Sequence, residues 1–199
     1  MELKEKLISS FMAFEEKIAD VNNELHNIRT SAIKNFENKG FPTKKEEAWK
    51  YTSLNAILKN DFSVFAKNDN AIQFADVKKY FLNDVDTYKV IFVDGKFSSY
   101  LSSTTHDGLD VCLMSSALTK PKYKMVIDEY FNKIANSEDS LTSLNTAFSL
   151  EGAYVHVPKS KVVEKPIEII YFSTGSEAAL MTQLQLNYVV VSLKQLQNL

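Results

Sequence analysis

Few residues of this sequence could carry out chemistry, because it holds one cysteine and three histidines. Cys112 lies in an apolar run with Val111, Leu113 and Met114. Such a setting predicts a buried, unreactive thiol and not a metal ligand or a nucleophile. A single cysteine also excludes an intrachain disulfide. Structural zinc needs four Cys or His ligands in paired spacings, and an iron–sulfur cluster held by one chain normally needs four thiolates, so neither is predicted within this chain.

Two of the histidines raise the question of a catalytic or metal site. His106 and Asp107 are adjacent, as two members of a catalytic triad could be, but no nucleophile elbow or positioned serine accompanies them. His156 alternates with Val155 and Val157, which puts it on the opposite face of a strand. No second ligand lies at metal-binding spacing, so we expect a solvated or hydrogen-bonded side chain. We therefore predict no catalytic, cofactor-binding or metal-ligating residue, and no enzyme.

Composition and charge indicate an ordinary folded protein. The chain has 199 residues, 45% apolar and 24% charged, with a formal charge of −2. Its densest basic stretch, formed by Lys120, Lys122 and Lys124, lacks a matching aromatic or arginine cluster, which favours a solvated loop over a nucleic-acid contact. No run approaches the about 18 apolar residues of a membrane span, and the N-terminus lacks the features of a signal peptide. We expect a cytoplasmic protein that contacts neither nucleic acid nor membrane.

The first region, residues 1–60, is predicted to be helical. Apolar residues recur there at steps of three and four, at Leu7, Phe11, Phe14, Ile18, Val21, Leu25, Ile28 and Ala32. Cap-type residues at 20–23 favour two antiparallel helices, and a single long coiled-coil helix is the alternative. Gly40 follows the last helical positions. Thr43 and Glu46 match a capping box, which predicts a short helix from Lys44 that Trp49 and Leu54 anchor to the helix pair.

Residues 61–143 form a mixed region of helices and strands. Residues 74–81 and 123–135 have helical patterns, and the second has an apolar side of Met125, Ile127, Tyr130, Phe131 and Ile134. Residues 88–101 predict a hairpin, because two strand-like runs flank Asp94 and Gly95, the strongest short turn signal. A short strand is predicted at residues 111–114.

Residues 144–199 contain short strands with no helical pattern between them. The strands are predicted at 152–158, 165–175 and 186–192, separated by turn residues. This arrangement suits a sandwich or a solenoid, and the pattern does not decide between them. In a solenoid, an inward row would come from Ala153, Val155, Val157, Ile167 and Ile169.

Three stretches together resemble one protein family. They are GFPTKKEEAWKYTSL (40–54), KVIFVDGKFSSYLS (89–102) and LNTAFSLEGAYVHVPKSKVVEKPIEIIYFSTG (144–175). In sequence and order they resemble the SufB/SufD family of iron–sulfur cluster assembly subunits, and SufD-type members most of all. The resemblance covers residues 1 to about 183.

The resemblance implies an α+β fold in which an N-terminal helical subdomain leads into a right-handed parallel β-helix. It implies a non-catalytic scaffold that works with SufB and the ATPase SufC. SufD-like subunits pair with SufB through their β-helices, and their C-terminal segments dock SufC. The residues that handle the cluster belong to that later part, so the resemblance implies no cofactor in this chain and a cluster handled by the full complex.

The sequence departs from the family after Gln183, where the tail LQLNYVVVSLKQLQNL replaces further strand turns. Family members are longer, so the resemblance implies the N-terminal half of such a subunit, with a truncated β-helix. An unfinished β-helix leaves unpaired backbone groups at its last turn, which predicts self-association or capping by the tail. The alternative function is an autonomous β-solenoid binding module whose helical region recruits a protein partner.

Overall fold

The computed structural model describes residues 2–18, 23–60, 62, 72–103, 108–130, 133, 138–149, 152–174 and 188–191. The helices are α1 (Leu3–Ile18), α2 (Asn23–Lys39), α3 (Asn55–Leu58), α4 (Phe74–Val77), α5 (Met114–Leu118), α6 (Pro121–Tyr130) and α7 (Ser140–Ala147). Short 3₁₀ helices lie at Glu47–Trp49 and Lys78–Tyr80. The strands are β1 (Tyr88–Val93), β2 (Lys96–Phe97), β3 (Asp110–Leu113), β4 (Ala153–Val157), β5 (Ile167–Phe172) and β6 (Tyr188–Val191). The α+β class is confirmed.

The N-terminal region contains two helices that pair antiparallel, so the single long helix is excluded. Near the α1–α2 connection, Arg29 Nε donates to Glu15 Oε1 at 2.6 Å, and Arg29 is buried. At the other end of the pair, the Lys4 side chain lies over Gly40. The apolar stripes of α1 and α2 meet α7 in one core of Leu3, Leu7, Phe11, Phe14, Ala32, Ile33, Phe36, Leu144, Ala147 and Phe148. Helix α7, which the sequence reading missed, thus completes the helical core.

The turn after α2 follows the predicted signals, but the segment beyond it does not. Gly40 has a φ of +71°, as a helix-ending glycine should, and its N–H donates to Phe36 O. The Thr43 N–H donates to Glu46 Oε1 at 2.8 Å, which forms the reciprocal half of the capping box. The box opens onto a turn and a three-residue 3₁₀ helix, not an α-helix from Lys44.

The prediction that Trp49 anchors this segment is wrong. Trp49 is half-buried and lies outside the four hydrophobic cores of the described residues. Phe41 and Leu58 make the contact with the helical core instead. The reason is the short 3₁₀ geometry, which buries no residue between Glu47 and Trp49.

The strands form two three-stranded sheets, with orders β2-β1-β5 and β3-β4-β6. β1 pairs parallel with β5, from Tyr88 opposite Ile167 to Val93 opposite Phe172. β4 pairs parallel with β6, and β3 pairs antiparallel with β4. The chain therefore passes from β4 to the other sheet in β5 and returns as β6 beside β4.

The two sheets pack face to face through a shared apolar core. The strand residues that point inward are Tyr88, Val90, Phe92, Val111, Leu113, Ala153, Val155, Ile167 and Ile169. Ala153 and Val155 are fully buried, and Ile167 and Ile169 pack against them, as the predicted inward row requires. Val157 is only half-buried and lies outside this core.

Helices cover the outer faces of both sheets. Val77 and Phe81 cover Ile91 and Val93 of β1. On the other sheet, α5, α6 and α2 cover the face that carries Tyr154, through Met114, Ala117, Leu118, Tyr123, Ile127 and Leu25. The predicted apolar side of α6 is only partly correct. Ile127 is buried, but Met125 is 76% exposed and Tyr130 is 47% exposed. Phe131 and Ile134 lie outside the described residues.

The predicted hairpin at 88–101 is present but shorter. Its second strand, β2, ends at Phe97. The Ile91 N–H donates to Ser102 Oγ at 2.9 Å and the Lys89 N–H donates to Ser103 Oγ at 2.8 Å, so serine hydroxyls replace a strand along the rest of β1. No helix within the described ranges is long and apolar enough to cross a membrane.

Candidate functional site

A polar cluster on the outer face of β3 and β4 brings together several residues singled out in the sequence. The antiparallel register puts Asp110 opposite His156 and Cys112 opposite Tyr154. Side chains alternate between faces along a strand, so these four share one face. Helix α6 begins at Pro121, and Tyr123 packs against this same face.

Asp110 is the centre of this cluster. Lys122 Nζ lies 2.9 Å from Asp110 Oδ2, and His156 Nδ1 lies 3.1 Å from the same oxygen. The Tyr123 hydroxyl also donates to the Asp110 carboxylate. One carboxylate thereby ties the first turn of α6 to both strands beneath it.

The charges of the cluster are fixed by these contacts. Burial raises the pKa of Asp110, but hydrogen bonds from Lys122, His156 and Tyr123 outweigh burial and lower it to about 2. Burial, together with the hydrogen bond to Asp110, raises the pKa of Tyr123 to about 12. At neutral pH, Asp110 is therefore an anion that accepts hydrogen bonds, and Tyr123 is a neutral donor.

Cys112 is close to this cluster but does not have the properties of a reactive thiol. It is half-buried, and burial raises its pKa, as does Asp110, while Lys120 acts in the opposite direction. A thiol needs a lowered pKa and access to solvent to act as a nucleophile or to bind metal readily. The predicted unreactive thiol fits this setting.

The geometry of the cluster favours a structural role. Within the part of the chain that the structure describes, no group of three or more His, Cys, Asp or Glu side chains could hold a metal ion. The side chain of His156 is 9% exposed and hydrogen-bonded, which agrees with the hydrogen-bonded alternative and not with the solvated one. The adjacent His106 and Asp107, which the sequence did not support as members of a catalytic triad, lie outside the described residues.

The three lysines do not form the predicted solvated loop, because α6 starts at Pro121. Lys122 binds Asp110, and Lys124 binds Asp128 at 2.6 Å. Lys120 Nζ lies 5.5 Å from the centre of the Tyr123 ring. Carboxylates thus pair with two of the three cations.

The sequence reading missed Asp110 and Tyr123. Asp110 lies 46 residues from His156 along the chain, and only the register of β3 with β4 makes them neighbours. The signal that could have found Asp110 was the alternation of Asp110 with Val111 and of Cys112 with Leu113, which gives β3 one polar and one apolar face.

A second feature with functional potential is the pair of sheet edges formed by β5 and β6. Among the described strands, β5 has a neighbour only on the β1 side and β6 has one only on the β4 side. An edge strand presents a row of backbone N–H and C=O groups that can pair with a further strand. Each of these edge strands is paired in parallel with its neighbour, β5 with β1 and β6 with β4, so each can take another parallel strand on its free side.

These observations define an α+β protein in which two packed sheets, covered by helices, present strand edges for further pairing. Residues 1–169 match the family described as the SufBD protein N-terminal region. The chain belongs to the SufBD family. It is also similar to an iron–sulfur cluster assembly SufBD family protein of Synechocystis sp., with 22% identity over 149 residues that make up 75% of this chain and 32% of that protein. The matched part thus spans about a third of the curated relative's length.

Proposed function

We propose that this chain is part of a SufD-type scaffold subunit that acts in iron–sulfur cluster assembly together with SufB and SufC. In this proposal it works in the cytoplasm, performs no catalytic step and holds no resident cofactor. The cluster is the cargo of the whole complex and is handled by parts of the subunits outside this chain.

One observation carries this proposal, namely the family match over residues 1–169. The Synechocystis relative, whose name describes an iron–sulfur cluster assembly protein, adds support at 22% identity. The SufD assignment within the family rests on the three stretches at 40–54, 89–102 and 144–175, which resemble SufD-like proteins.

The strand arrangement supports a β-helix as the architecture of this scaffold. β4, β5 and β6 alternate between the two sheets, and β6 returns parallel to β4 at an offset of 34 residues, from Tyr154 to Tyr188. A solenoid is built from such returns, each adding one parallel strand to a sheet. In the proposal, further returns extend both sheets and provide the surface that pairs with SufB.

The test is co-purification of the complete gene product with its partners. The full reading frame that contains these 199 residues is expressed with a tag beside untagged SufB and SufC of the same organism. We expect both to co-elute with the tagged subunit through affinity and size-exclusion steps. As a matched control, the 199-residue chain alone is expected to lose SufC, since the SufC-docking segments of SufD-like proteins lie later in the chain.

The assignment is wrong if the full-length subunit purifies without SufB and SufC while those two still bind each other. The same outcome would favour the autonomous binding module. If the tagged subunit binds another copy of itself in place of SufB, the SufD assignment fails but membership of the family stands.

A further inference from the structure

A groove lies between the first turns of α1 and the segment 41–60, away from the sheets. We call it the α1 groove and define it by Leu3, Lys4, Lys6, Phe41, Leu58 and Lys59. Its volume is about 690 Å³. Ligand pockets in proteins commonly measure about 300–1,000 Å³, so the groove is large enough to hold several side chains of a bound molecule.

The floor of the α1 groove is apolar and fixed in place. Leu3 belongs to the helical core, and Phe41 and Leu58 pack against that core while staying half-buried. The Phe41 ring meets Phe36 edge-on, with ring centres 5.0 Å apart. Such a floor offers a preformed apolar surface to a ligand and needs little reorganisation.

The rim of the groove carries a surplus of positive charge. Lys4, Lys6 and Lys59 line it together with one carboxylate, Glu2. Neither Lys4 nor Lys59 forms an ion pair with any residue in the described ranges. Asn55 adds a side-chain amide to the lining. The groove therefore matches a ligand that is apolar in its middle and anionic at its edges.

The segment that forms one wall of the groove contains short helices that bury no residue. The 3₁₀ helix Glu47–Trp49 and helix α3 contain no buried residue, and Tyr51 is 90% exposed and Ile57 is 51% exposed. Aromatic side chains are enriched at protein interfaces, where they supply contact area at a low cost in conformational entropy. These exposed apolar residues belong to the same segment that supplies Asn55, Leu58 and Lys59 to the groove, which favours a peptide over a small molecule as the ligand.

We propose that the α1 groove binds an acidic amphipathic segment of a partner protein. Apolar side chains of that segment contact Phe41 and Leu58, and its carboxylates pair with Lys4 and Lys59. The proposal goes beyond the Suf assignment and does not depend on it, because it concerns the helical end of the chain and not its sheet edges.

The experiment uses the 199-residue chain and a displayed library of random dodecapeptides as the probe. Peptides that bind are selected from this library in parallel on the immobilised wild-type chain and on the immobilised Lys4→Glu/Lys59→Glu variant. Lys159→Glu/Lys161→Glu is the matched control, since both of these lysines are exposed in the turn between β4 and β5. Circular dichroism and thermal unfolding confirm that all three proteins fold alike.

We expect peptides with clustered Asp or Glu beside apolar residues to be enriched on the wild-type chain and on the control, but not on the groove variant. Fluorescence anisotropy of the most enriched peptide should show a loss of at least about tenfold in affinity for the groove variant and less than about twofold for the control. A neutral copy of that peptide, with Asn and Gln in place of Asp and Glu, should bind as weakly as the acidic peptide binds the variant.

Three results would overturn the proposal. They are a failure to enrich any peptide, enrichment of neutral or basic peptides, and equal binding of the acidic peptide to the wild-type chain and the groove variant. A Leu58→Gln variant gives a second check. It removes part of the apolar floor and leaves the lysines in place, so the acidic peptide should bind it with lower affinity. If this folded variant binds as tightly as the wild type, the groove is not the site.

Discussion

Asp110 holds together more elements than any other side chain of the polar cluster. It lies on β3, accepts from His156 on β4, and accepts from Lys122 and Tyr123 on α6. These contacts bring its pKa to about 2, although burial acts to raise it. Because an unfolded aspartate titrates near 3.8, the folded state favours the ionised form.

Replacing Asp110 with Asn should therefore lower stability in a pH-dependent way. A carboxylate whose folded pKa is depressed stabilises the protein above its unfolded pKa, and this contribution is lost as pH falls through the folded value. We expect Asp110→Asn to cost about 1–2 kcal/mol at pH 7, after allowing for solvent screening of a side chain that is 31% exposed. The difference between the two proteins should shrink steadily from pH 4 towards pH 2.

Urea unfolding across this pH range measures the effect, with Asp86→Asn as the control. Lys165 lowers the pKa of Asp86 through a hydrogen bond, but that pair lies at the surface. Exposed ion pairs contribute little to stability, so the control should change less than Asp110→Asn at pH 7. A pH-independent difference for Asp110→Asn would show that the carboxylate acts through packing alone.

Cys112 provides a second prediction at the scale of single residues. Because burial raises the pKa of this half-buried thiol, its thiolate fraction at neutral pH should be small. Alkylation by iodoacetamide at pH 7.5 should be at least about tenfold slower in the folded chain than in the same chain in denaturant. Mass spectrometry follows the modification, and equal rates in both states would contradict the structure.

At this scale the sequence predicted side-chain properties better than side-chain partners. The apolar neighbours of Cys112 predicted a buried thiol, and the structure shows a half-buried one. The alternation around His156 correctly predicted its strand. Neither pattern could reveal that Asp110 faces His156, because that contact depends on which residues of β3 and β4 lie opposite each other. Strand register is set by the packing of the whole sheet, and no single strand encodes it.

At the scale of elements, the Asp94-Gly95 turn joins more than the two strands of its hairpin. Asp94 accepts from the Thr174 N–H at 2.9 Å and from the Thr174 hydroxyl at 2.6 Å, just after the end of β5. The Asp94 N–H in turn donates to Phe172 O at 2.8 Å. The hairpin turn thus fixes the end of β5, and it helps to hold the parallel β1–β5 pair in register.

Thr174→Val should lower the free energy of unfolding by about 1 kcal/mol, because it removes the hydroxyl donor and keeps the shape of the side chain. Asp94→Asn keeps a residue that tolerates the φ of 46° at this position but weakens the acceptor. If the two side chains act through one contact, the double variant should cost less than the sum of the single variants. Denaturant unfolding of all four proteins gives the coupling energy, and strict additivity would show that the contact contributes nothing.

The elements with strong periodicity were predictable, and the short polar ones were not. Helices α1 and α2 followed from their apolar stripes, and β1 followed from its branched and aromatic run. Helix α7 reads SLTSLNTA, in which Ser and Thr dominate, and it forms because Asp139 caps its start and the α1–α2 pair buries one side of it. For the segment around Trp49 the sequence predicted more helix than the structure contains. A capping box specifies how a helix begins and not how far it continues.

At the scale of the whole molecule, the described strands form two packed sheets in which β5 and β6 each have a neighbour on one side only. The three-stranded sheets share an inner core, and helices cover their outer faces, so a further strand can join these sheets at their edges. The apolar row of the inner core was predictable from alternation, whereas the parallel pairing of β1 with β5 was not. These strands are separated by 79 positions, from Tyr88 to Ile167, and only the assembled fold brings them together.

The hydrogen bonds of β5 identify which of its backbone groups face the free edge. Pro166 O accepts from the Tyr88 N–H and Phe172 O accepts from the Asp94 N–H, so the even-numbered residues of this stretch face β1. In a parallel ladder the groups of alternate residues point to opposite sides, and the odd-numbered residues therefore face outward. Tyr171 is the most exposed of these, at 44%.

An exposed strand edge predicts that the 199-residue chain self-associates in a concentration-dependent way. Tyr171→Pro should reduce this association, because proline removes an outward N–H and leaves the ladder with β1 intact. Tyr171→Ala is the matched control, since it loses the same ring stacked on Phe92 but keeps the N–H. Sedimentation velocity over a range of concentrations should show weaker association for Tyr171→Pro than for Tyr171→Ala. If the two variants behave alike, the association does not use the β5 edge, and a wild-type chain that stays monomeric throughout would mean that this edge is already covered.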